Sequence, residues 1–408
     1  MDKKIYDLII VGAGAAGLMT AVVCSEIGKS VLMFDKNEKL GRKLRITGKG
    51  RCNLCNNCTN EEVIANTVSN GRFLYSSLSN FSAEDLMNFF ESRGVPLKTE
   101  RGNRVYPQSD KANDIADLLV NLIEKNNVEV KKQAVQKIIE ENSAVKAVIS
   151  NNQSYFANNI LIATGGTSYK ATGSTGDGYK FAKALGHTII PPKASLVGLC
   201  SNDDFLSELQ GLSLKNTKLS LFRNEKLIYE DFGEMLFTHF GISGPIVLSA
   251  SAYIRDDEKY MVLLDLKPAL TVEQLDNRLV RDFEKFANKN FDNYLSELLP
   301  RKLIPIFTSL TQISSETKCH SITKEQRVNI IEKLKNFKLN ISELRPINEA
   351  IICAGGVSVK EVNPKTMQSK IIDGLFFAGE VLDLDAYTGG FNLQIAFSTA
   401  YTAGINIF

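Results

Sequence analysis

The sequence predicts an α/β protein built on a doubly wound, mostly parallel sheet. The first observation is the order of the amino-terminal segments. An apolar run (residues 5–11) is followed by a glycine-rich turn, then by a helical pattern, and then by a second apolar run (residues 30–34). The second is the alternation of strand and helix patterns that follows. The third is a block over residues 191–345 in which strands come first and helices come later. Alternating strands and helices favour parallel βαβ units, whereas the segregated block is typical of an inserted domain.

The glycine-rich turn has the G-x-G-x-x-G spacing of a dinucleotide-binding turn. Gly12 permits the tight turn, Gly14 lets the backbone approach a pyrophosphate, and Gly17 lets the helix pack closely on the strand. The helix then presents free N–H groups and a partial positive charge to the phosphates. Asp35, directly after the second apolar run, is placed to accept hydrogen bonds from an adenosine ribose. The residues expected along this part of an adenine dinucleotide are Gly12, Gly14, Ala15, Gly17, Asp35 and Lys36.

Two later segments favour FAD over NAD. Residues 160–166 (ILIATGG) form a buried strand pattern that ends in small residues, which lets the backbone of Thr164 and Gly165 approach a ligand. Residues 374–380 (GLFFAGE) form a second such pattern, and Gly389-Gly390 then opens the last helix pattern. This provides a carboxylate for a ribityl hydroxyl and a second helix N-terminus for the polar edge of the flavin. Two helix starts and two acids at opposite ends of the chain suit a long, extended FAD.

The remaining elements predict the domain boundaries. The pattern changes at Pro191-Pro192, so we expect an FAD-binding domain over residues 1–190 and 346–408. The cap would cover residues 191–345, with a β-rich part over 191–267, a helical part over 268–336 and the substrate cavity between cap and flavin. We expect helices over 82–93 and 109–126, the latter capped by Ser109, and a β-ribbon over about 134–150 that serves as a crossover. Within the cap we expect strands over 195–200, 217–222, 226–231 and 260–266 and helices over 271–288 and 323–336.

Composition limits the classes of function. The 408 residues include 48 Lys and Arg against 46 Asp and Glu, so overall charge gives no reason to expect nucleic acid or an anionic membrane as a partner. No apolar run is long enough to span a bilayer. Seven cysteines, an odd number spread over a long chain, indicate reduced thiols and a cytoplasmic protein. No sequence feature predicts an oligomeric state.

Four long motifs resemble the BaiN-like flavoproteins, which are also described as aminoacetone-oxidase-type or NAD(P)/FAD-dependent oxidoreductases. The motifs are residues 41–53 (GRKLRITGKGRCN), 165–187, 237–245 (FTHFGISGP) and 355–396. The resemblance covers nearly the whole chain. It implies a glutathione-reductase-like FAD domain in two pieces, with a β-barrel-like and a helical subdomain inserted between them. It also implies that the flavin side and the adenine are contacted by Arg42, Lys43, Cys52, Asn53, Val135, Gly379, Glu380, Gly390, Asn392 and Leu393.

The first of these motifs carries five cations in ten residues, from Arg42 to Arg51. They could stabilise an anionic reduced flavin or hold its pyrophosphate. A solvated basic loop is the alternative, because runs of charge are usually exposed. RNA binding by this loop is a third interpretation, against which the neutral overall charge argues.

Cys52, Cys55 and Cys58 are spaced like the start of a ferredoxin cluster, but Glu62 stands where the fourth ligand would be. The C-x-x-C pair could instead exchange electrons with a flavin. Such enzymes need a histidine near the carboxyl terminus, and the last histidine here is His320. We therefore expect no metal site, and the redox role of the thiols stays open.

The candidates for acid–base chemistry are few. His239 lies in a glycine-rich segment, and Tyr169 and Lys170 directly follow the ATGG strand end. Flavin chemistry supplies the hydride, while the protein supplies position and electrostatics. We expect an FAD-dependent oxidoreductase that reduces an activated C=C or C=N bond of a small hydrophobic substrate, with NAD(P)H as a transient electron donor. An amine or aminoketone oxidase that uses oxygen is the alternative enzyme, and a flavin-binding, RNA-associated protein without turnover is the alternative of another class.

Overall fold

The computed structural model of the chain describes residues 4–254 and 258–408. Its strands are β1 (Ile5–Val11), β2 (Val31–Phe34), β3 (Cys55–Asn56), β4 (Thr67–Ser69), β5 (Leu97–Glu100), β6 (Arg104–Pro107), β7 (Glu129–Lys131), β8 (Val135–Glu141), β9 (Ala144–Ser150), β10 (Gln153–Ile162), β11 (Ile189–Ser195), β12 (Leu199–Ser201), β13 (Ser213–Arg223), β14 (Lys226–Thr238), β15 (Gly241–Ser243), β16 (Tyr260–Asp265), β17 (Phe337–Leu344), β18 (Ile352–Val357), β19 (Leu375–Phe377) and β20 (Asp385–Ala386).

The helices alternate with these strands in the first part of the chain and cluster before β17. They are α1 (Ala15–Glu26), α2 (Arg42–Ile46), α3 (Asn60–Ala65), α4 (Tyr75–Asn80), α5 (Ala83–Glu91), α6 (Ala112–Lys125), α7 (Asp177–Ala184), α8 (Leu206–Leu209), α9 (Pro245–Ser251), α10 (Val272–Lys285), α11 (Phe291–Leu295), α12 (Ile304–Thr311), α13 (Lys324–Lys335) and α14 (Phe391–Ile405). Short 3₁₀ turns lie at Gly71–Leu74, Lys170–Thr172, Arg301–Leu303, Cys319–Ser321, Val359–Glu361 and Gly379–Val381.

The chain forms two compact units. One unit combines Met1–Ser195 with Pro346–Phe408, and the other is Leu196–Arg345. The division falls after Ser195 rather than before Pro191, because β11 carries the Pro191-Pro192 pair and pairs antiparallel with β18 of the first unit. The ladder shifts register between Ile190 and Lys193, a bulge that accommodates two residues without N–H donors.

A seven-stranded sheet organises the first unit. Its order is β7-β2-β1-β10-β9-β8, and β19 pairs with the carboxyl half of β10. The strands from β7 to β10 run parallel, whereas β8, β9 and the start of β10 form the antiparallel ribbon that the sequence predicts. All four residues of β2 are buried, as expected for a central parallel strand covered on both faces. The predicted doubly wound α/β class is therefore confirmed.

Two apolar helices pack on this sheet at close range. Most residues of α1 and α14 are buried, so neither helix shows a separate polar face. A Cβ atom on Gly404 would lie 2.7 Å from the Val23 side chain, and the Thr20 hydroxyl donates to the Ala400 carbonyl at 2.9 Å. The carboxyl-terminal helix is thereby fixed beside the first helix, although their sequences are nearly 400 residues apart.

The second unit contains a closed six-stranded barrel in the order β12-β15-β14-β13-β16-β17, which confirms the predicted inserted barrel. β17 alternates buried and exposed residues from Phe337 to Ile341, so its apolar side chains enter the core that α10, α12 and α13 share. The single strand expected over residues 195–200 is wrong. Those residues divide between β11 and β12, because Leu196 adopts a positive φ of 56° and turns the chain.

One predicted helix cap is also wrong. Helix α6 begins at Ala112, and Lys111 occupies its cap position. Ser109 lies outside the helix, where its hydroxyl donates to the Asp114 carboxylate. Ser82, for which no capping role was predicted, caps α5 in a reciprocal capping box with Asp85. Within the two described stretches of chain, no helix combines the length and the apolar character needed to cross a bilayer.

Candidate functional site

The glycine turn after β1 has the geometry of a phosphate cradle. Gly12 adopts φ +105°, and a Cβ there would lie 2.6 Å from the Ala163 carbonyl oxygen. A Cβ on Gly17 would lie only 1.9 Å from the Gly12 carbonyl oxygen, so the helix packs directly on the turn. Nothing lies within 4 Å of a Cβ placed on Gly14, and no side chain caps α1. Ala15 opens the helix, so its first N–H groups face open space where an anion can bind.

Asp35 follows β2 and faces this turn. Its Oδ2 accepts from the Ala13 N–H at 2.7 Å, and its Oδ1 accepts from the Asn37 N–H at 2.8 Å. The carboxylate therefore shapes the turn itself. Oδ1 also accepts from the Asn37 side-chain amide at 2.9 Å, so the second lone pair of Oδ2 is the one available for a ribose hydroxyl. Val135 begins β8, four residues after Lys131, whose carbonyl accepts from the Asp35 N–H.

The loop after β10 is tied to the residues that follow Asp35. The Asn37 side-chain amide donates to the Thr172 carbonyl at 3.0 Å. Lys36 pairs with Asp177 at 2.7 Å, so its ammonium is bound to protein. Thr164 lies two residues past the end of β10, its hydroxyl is buried without a hydrogen-bond partner in the described part of the chain, and Gly165 follows at φ +71°. These contacts place the ATGG segment beside the adenosine side of the predicted groove.

Glu380 joins three elements at the other end of this groove. Its Oε2 accepts from Lys43 Nζ at 2.7 Å, and its Oε1 accepts from Ser168 Oγ and from the Cys353 N–H, both at 3.1 Å. Ser168 also accepts from Lys43 Nζ at 2.7 Å. Both charged side chains are less than a quarter exposed. Glu380 therefore holds α2, the β10 loop and β18 together. This structural role is separate from the predicted contact to a ribityl hydroxyl.

The neighbouring Gly379 locates this cluster along the groove. A Cβ on Gly379 would lie 2.9 Å from the Ala16 Cβ in the first turn of α1 and 3.7 Å from the Ala396 Cβ in α14. The Glu380 cluster consequently lies next to the phosphate cradle, where a dinucleotide continues from its pyrophosphate toward its second ring.

Three of the five cations of the basic loop are engaged in ion pairs. Lys43 binds Glu380, Arg45 pairs with Asp117 at 2.6 Å, and Arg51 bridges Glu100 and Asp110. Arg42 is exposed and reaches only the Asn37 amide oxygen, at 3.4 Å. Most of the positive charge in the loop therefore fixes the protein, and Arg42 and Lys49 remain without a carboxylate partner in the described part of the chain.

The amino terminus of α14 packs against the cysteine segment. A Cβ on Gly390 would lie 2.2 Å from the Cys55 carbonyl carbon and oxygen. With its amide suitably oriented, Asn53 accepts from the Gly390 N–H at 3.0 Å and donates to the Cys55 carbonyl at 3.2 Å. Asn392 exchanges hydrogen bonds with both the N–H and the carbonyl of Ala386, and Leu393 beside it is half-buried. Among the predicted flavin-end residues, Asn53 therefore contacts Gly390 and Lys43 contacts Glu380, whereas Asn392 bonds to Ala386.

The cysteines of this segment are free thiols. Burial raises the pKa of the Cys52 thiol to about 12, and it raises the pKa of the Cys55 thiol further. Burial also raises the pKa of the half-buried Cys58 thiol, to about 11. All three are protonated near neutral pH, which disfavours thiol–disulfide exchange with a flavin. Among the residues that the structure describes, no three His, Cys, Asp or Glu side chains are grouped in a way that could hold a metal ion.

The three catalytic candidates lie in different units. Tyr169 and Lys170 are exposed in the first unit, and Lys43 Nζ lies 5.8 Å from the centre of the Tyr169 ring. His239 is exposed in the second unit, in the turn between β14 and β15, with its ring against Phe240.

Sequence reasoning missed a buried polar group around Gly166. A Cβ there would lie 3.2 Å from each of Cys353 Sγ, Glu380 Oε1 and Tyr179 Oη. The Tyr179 hydroxyl is buried without a hydrogen-bond partner, and its pKa is raised well above the ordinary value by burial and by the Glu380 carboxylate. The second glycine of ATGG was the available signal, since a Cβ at this position would press against all three side chains.

Comparisons with known proteins agree with this geometry. The model of the family described as "HI0933-like protein Rossmann domain" matches residues 6–406. The chain is 30% identical over 403 residues to the 3-dehydro-bile acid delta(4,6)-reductase of Clostridium scindens, covering 97% of both chains. It is 32% identical over 407 residues to the ribosomal RNA dihydrouridine synthase of Haemophilus influenzae, covering 98% of both.

A solved structure shows the same fold at low identity. The 3-ketosteroid delta1-dehydrogenase of Sterolibacterium denitrificans superposes with a TM-score of 0.54 over 99% of both chains, at 12% identity. The open phosphate cradle at Gly14 and the acid at Asp35 fit FAD, which is the cofactor of this chain. The chain is an FAD-dependent oxidoreductase, and it belongs to the family of HI0933-like proteins with a Rossmann domain.

Proposed function

We propose that the chain reduces a carbon–carbon double bond conjugated to a carbonyl group, with NAD(P)H as the electron donor. The observation that carries this proposal is the chemistry shared by the names of its two kinds of relative. A delta(4,6)-reductase of a 3-dehydro steroid acts on double bonds next to a ketone. Dihydrouridine is uridine whose ring double bond, conjugated to a carbonyl, is saturated. One flavin reaction, hydride transfer to the carbon β to a carbonyl, accounts for both.

A small hydrophobic ketone is the substrate class that charge favours. The chain has 48 basic against 46 acidic residues. Three of the five cations in the basic loop are paired with carboxylates, so they are not available for a phosphate backbone. A small conjugated ketone needs no such surface.

Uracil in ribosomal RNA is the second candidate substrate. It is favoured by the 32% identity to a ribosomal RNA dihydrouridine synthase over nearly the whole chain. The exposed Arg42 and Lys49 would then be the phosphate contacts of the basic loop. This candidate would make nucleic acid a partner, which the nearly balanced overall charge gives no reason to expect.

Electron supply completes the proposal. The sequence contains one G-x-G-x-x-G fingerprint, so NAD(P)H would bind transiently in the place of the substrate and leave before the substrate arrives. His239, Tyr169 and Lys170 remain the proposed acid–base candidates. All seven cysteines are free, which supports a cytoplasmic, reducing environment.

Anaerobic stopped-flow spectroscopy tests the proposal. NADH or NADPH should bleach the flavin absorbance rapidly, and a 4-en-3-one steroid should then restore it while gaining two hydrogens by mass spectrometry. Restoration by an undermodified ribosomal RNA, but not by the steroid, would move the assignment to the second candidate. Bleaching only by amines, with peroxide formed on admission of air, would establish an oxidase and overturn the proposal. The Gly14→Val variant serves as the flavin-free control.

A further inference from the structure

The residue that follows the buried Ser168 has an unusual backbone conformation. Tyr169 adopts φ 51° and ψ 51°, the left-handed region that bulky side chains rarely occupy. Its carbonyl accepts from both the N–H and the hydroxyl of Thr172, at 2.7 and 2.8 Å, and Gly173 continues the turn at φ +103°. The surrounding loop thus enforces a conformation that costs free energy, a situation that is concentrated at functional sites.

This conformation directs the Tyr169 side chain out of the core. Tyr169 is 37% exposed, whereas Ser168 is fully buried. Over the described ranges 4–254 and 258–408, no protein group forms a hydrogen bond with the Tyr169 hydroxyl. A phenol is therefore presented to open space at the flavin end of the groove, within reach of solvent.

A fixed cation accompanies this phenol. Lys43 Nζ lies 5.8 Å from the centre of the Tyr169 ring and is held in place by Ser168 and Glu380, each at 2.7 Å. An ammonium within about 6 Å of an aromatic ring centre attracts the ring, so Lys43 helps to hold the orientation of the Tyr169 side chain. The Lys43–Glu380 pair therefore positions the Tyr169 ring without itself being free to react.

The proposed reaction needs such an acid. Saturation of a conjugated double bond adds a hydride to the β carbon and a proton to the α carbon; bound, reduced FAD supplies the hydride. The other nearby polar groups are poor proton sources. Tyr179 is buried and Glu380 accepts from three donors. Cys353 is buried, and its sulfur accepts from the Thr167 N–H.

We propose that Tyr169 is the catalytic acid that protonates the α carbon of the substrate, with Lys43 as its positioning cation. This inference rests on the proposed reduction of a conjugated double bond. As the Tyr169 O–H bond breaks, its proton forms the new C–H bond at the α carbon, using the electron pair left on the substrate by hydride addition. The phenolate then takes a proton from solvent, which its exposure allows, and each turnover consumes one NAD(P)H and one solvent proton.

The Tyr169→Phe variant tests this role, because it keeps the ring and removes only the acidic proton. We compare it with wild type and with Tyr75→Phe, a matched substitution at an exposed tyrosine in a shallow surface groove on α4. Three quantities are measured on the FAD-loaded proteins: flavin reduction by NADPH, reoxidation by a 4-en-3-one steroid or uridine-containing RNA, and the dissociation constant of the oxidised protein for the same substrate. Loss of a general acid should slow reoxidation by about 10² to 10⁴-fold.

The other two quantities distinguish an acid from a structural residue. Flavin reduction and the dissociation constant should stay within about twofold of wild type, since neither involves protonation of the α carbon. Tyr75→Phe should leave all three unchanged. A wild-type rate of reoxidation in Tyr169→Phe would overturn this inference but leave the proposed function standing. Equal slowing of flavin reduction and flavin reoxidation would do the same. Failure of wild type to reduce any conjugated substrate would overturn the proposed function together with it.

Discussion

The two ends of the predicted FAD groove use their polar residues in opposite ways. At the phosphate end, the space beside Gly14 is open and the amino terminus of α1 has no side-chain cap. At the flavin end, Lys43, Glu380 and Asn392 all have protein partners between 2.7 and 3.2 Å. The first region is a surface shaped for a ligand. The second is a cluster of residues that hydrogen-bond to the protein itself, and we call Lys43, Glu380 and Asn392 with their partners the bonded frame.

This difference shows that residues of one predicted binding site can contribute in different ways. Some leave space for the ligand, and others stabilise the protein around it. A substitution at Gly14 should change the affinity for FAD with little effect on folding, because it alters open space. A substitution in the frame should lower the free energy of unfolding, because it breaks contacts between α2, the β10 loop and β18. The predictions below are ordered by the size of the expected effect.

Gly14→Val should abolish FAD binding in a protein that still folds. Gly14 has φ −80°, which valine tolerates, and nothing lies within 4 Å of its Cβ. The added methyl groups would fill the space needed by the pyrophosphate, raising the dissociation constant by about 10³-fold or more, which corresponds to about 4 kcal/mol. Absorbance at the flavin band and circular dichroism measure both properties. Gly17→Val is the contrasting control: a Cβ there lies 1.9 Å from the Gly12 carbonyl oxygen, so this variant should fail to fold.

Asp35→Ala should weaken FAD binding less than Gly14→Val. The substitution removes the acceptor for the ribose, and it also removes the acceptor that holds the Ala13 N–H at 2.7 Å. We expect the dissociation constant for FAD to rise about 10- to 100-fold, which is typical of a lost hydrogen bond to a charged group. Fluorescence titration with FAD checks this. Affinity equal to wild type would show that the carboxylate only shapes the turn.

Glu380→Gln should lower stability while FAD binding persists. Its side chain keeps an oxygen that can accept from Ser168 and from the Cys353 N–H, but it loses the ion pair with Lys43. Because both side chains are partly solvated, we expect the free energy of unfolding to fall by about 1 to 2 kcal/mol. Urea denaturation measures this loss. In a double-mutant cycle with Lys43→Met, the second substitution should lower the free energy of unfolding by less than it does in the wild-type protein. Additive losses of unfolding free energy would refute the coupling between the two side chains.

Thiol labelling gives the smallest expected effect. In the native protein a maleimide should modify Cys58 alone in this segment, since Cys52 and Cys55 are buried. The thiolate is the reactive form, and burial raises the Cys58 pKa to about 11. Labelling should therefore accelerate about tenfold for each pH unit between about pH 7 and about pH 9. A rate independent of pH in this range, or rapid labelling of Cys52, would contradict the structure and reopen dithiol chemistry.

The sequence was most informative where backbone geometry alone determines the outcome. The spacing of Gly12, Gly14 and Gly17 needs no distant partner, and each glycine occupies the position that its expected role requires. The doubly wound sheet was likewise predictable from alternating patterns, whereas the inserted barrel was implied by the resemblance to the BaiN-like flavoproteins. β17 was missed although its alternation from Phe337 to Ile341 was visible, because the helical block before it masked the return to strand.

The bonded frame could not be predicted in the same way. Lys43 and Glu380 are 337 residues apart, and no local pattern indicates that they meet. Cys353 and Tyr179 surround Gly166 for the same reason, through the packing of β18 and α7 beside the end of β10. The sequence placed Lys43 and Glu380 near the flavin but could not show that they contact each other, and it did not place Cys353 or Tyr179 there at all.

Titration of FAD into the apo forms of wild type, Gly14→Val and Glu380→Gln, under identical conditions, tests the contrast between the two ends most directly. The bonded-frame interpretation predicts no saturable binding to folded Gly14→Val, and a dissociation constant for Glu380→Gln within about tenfold of wild type. Wild-type affinity in Gly14→Val, or loss of binding in a folded Glu380→Gln, would contradict it.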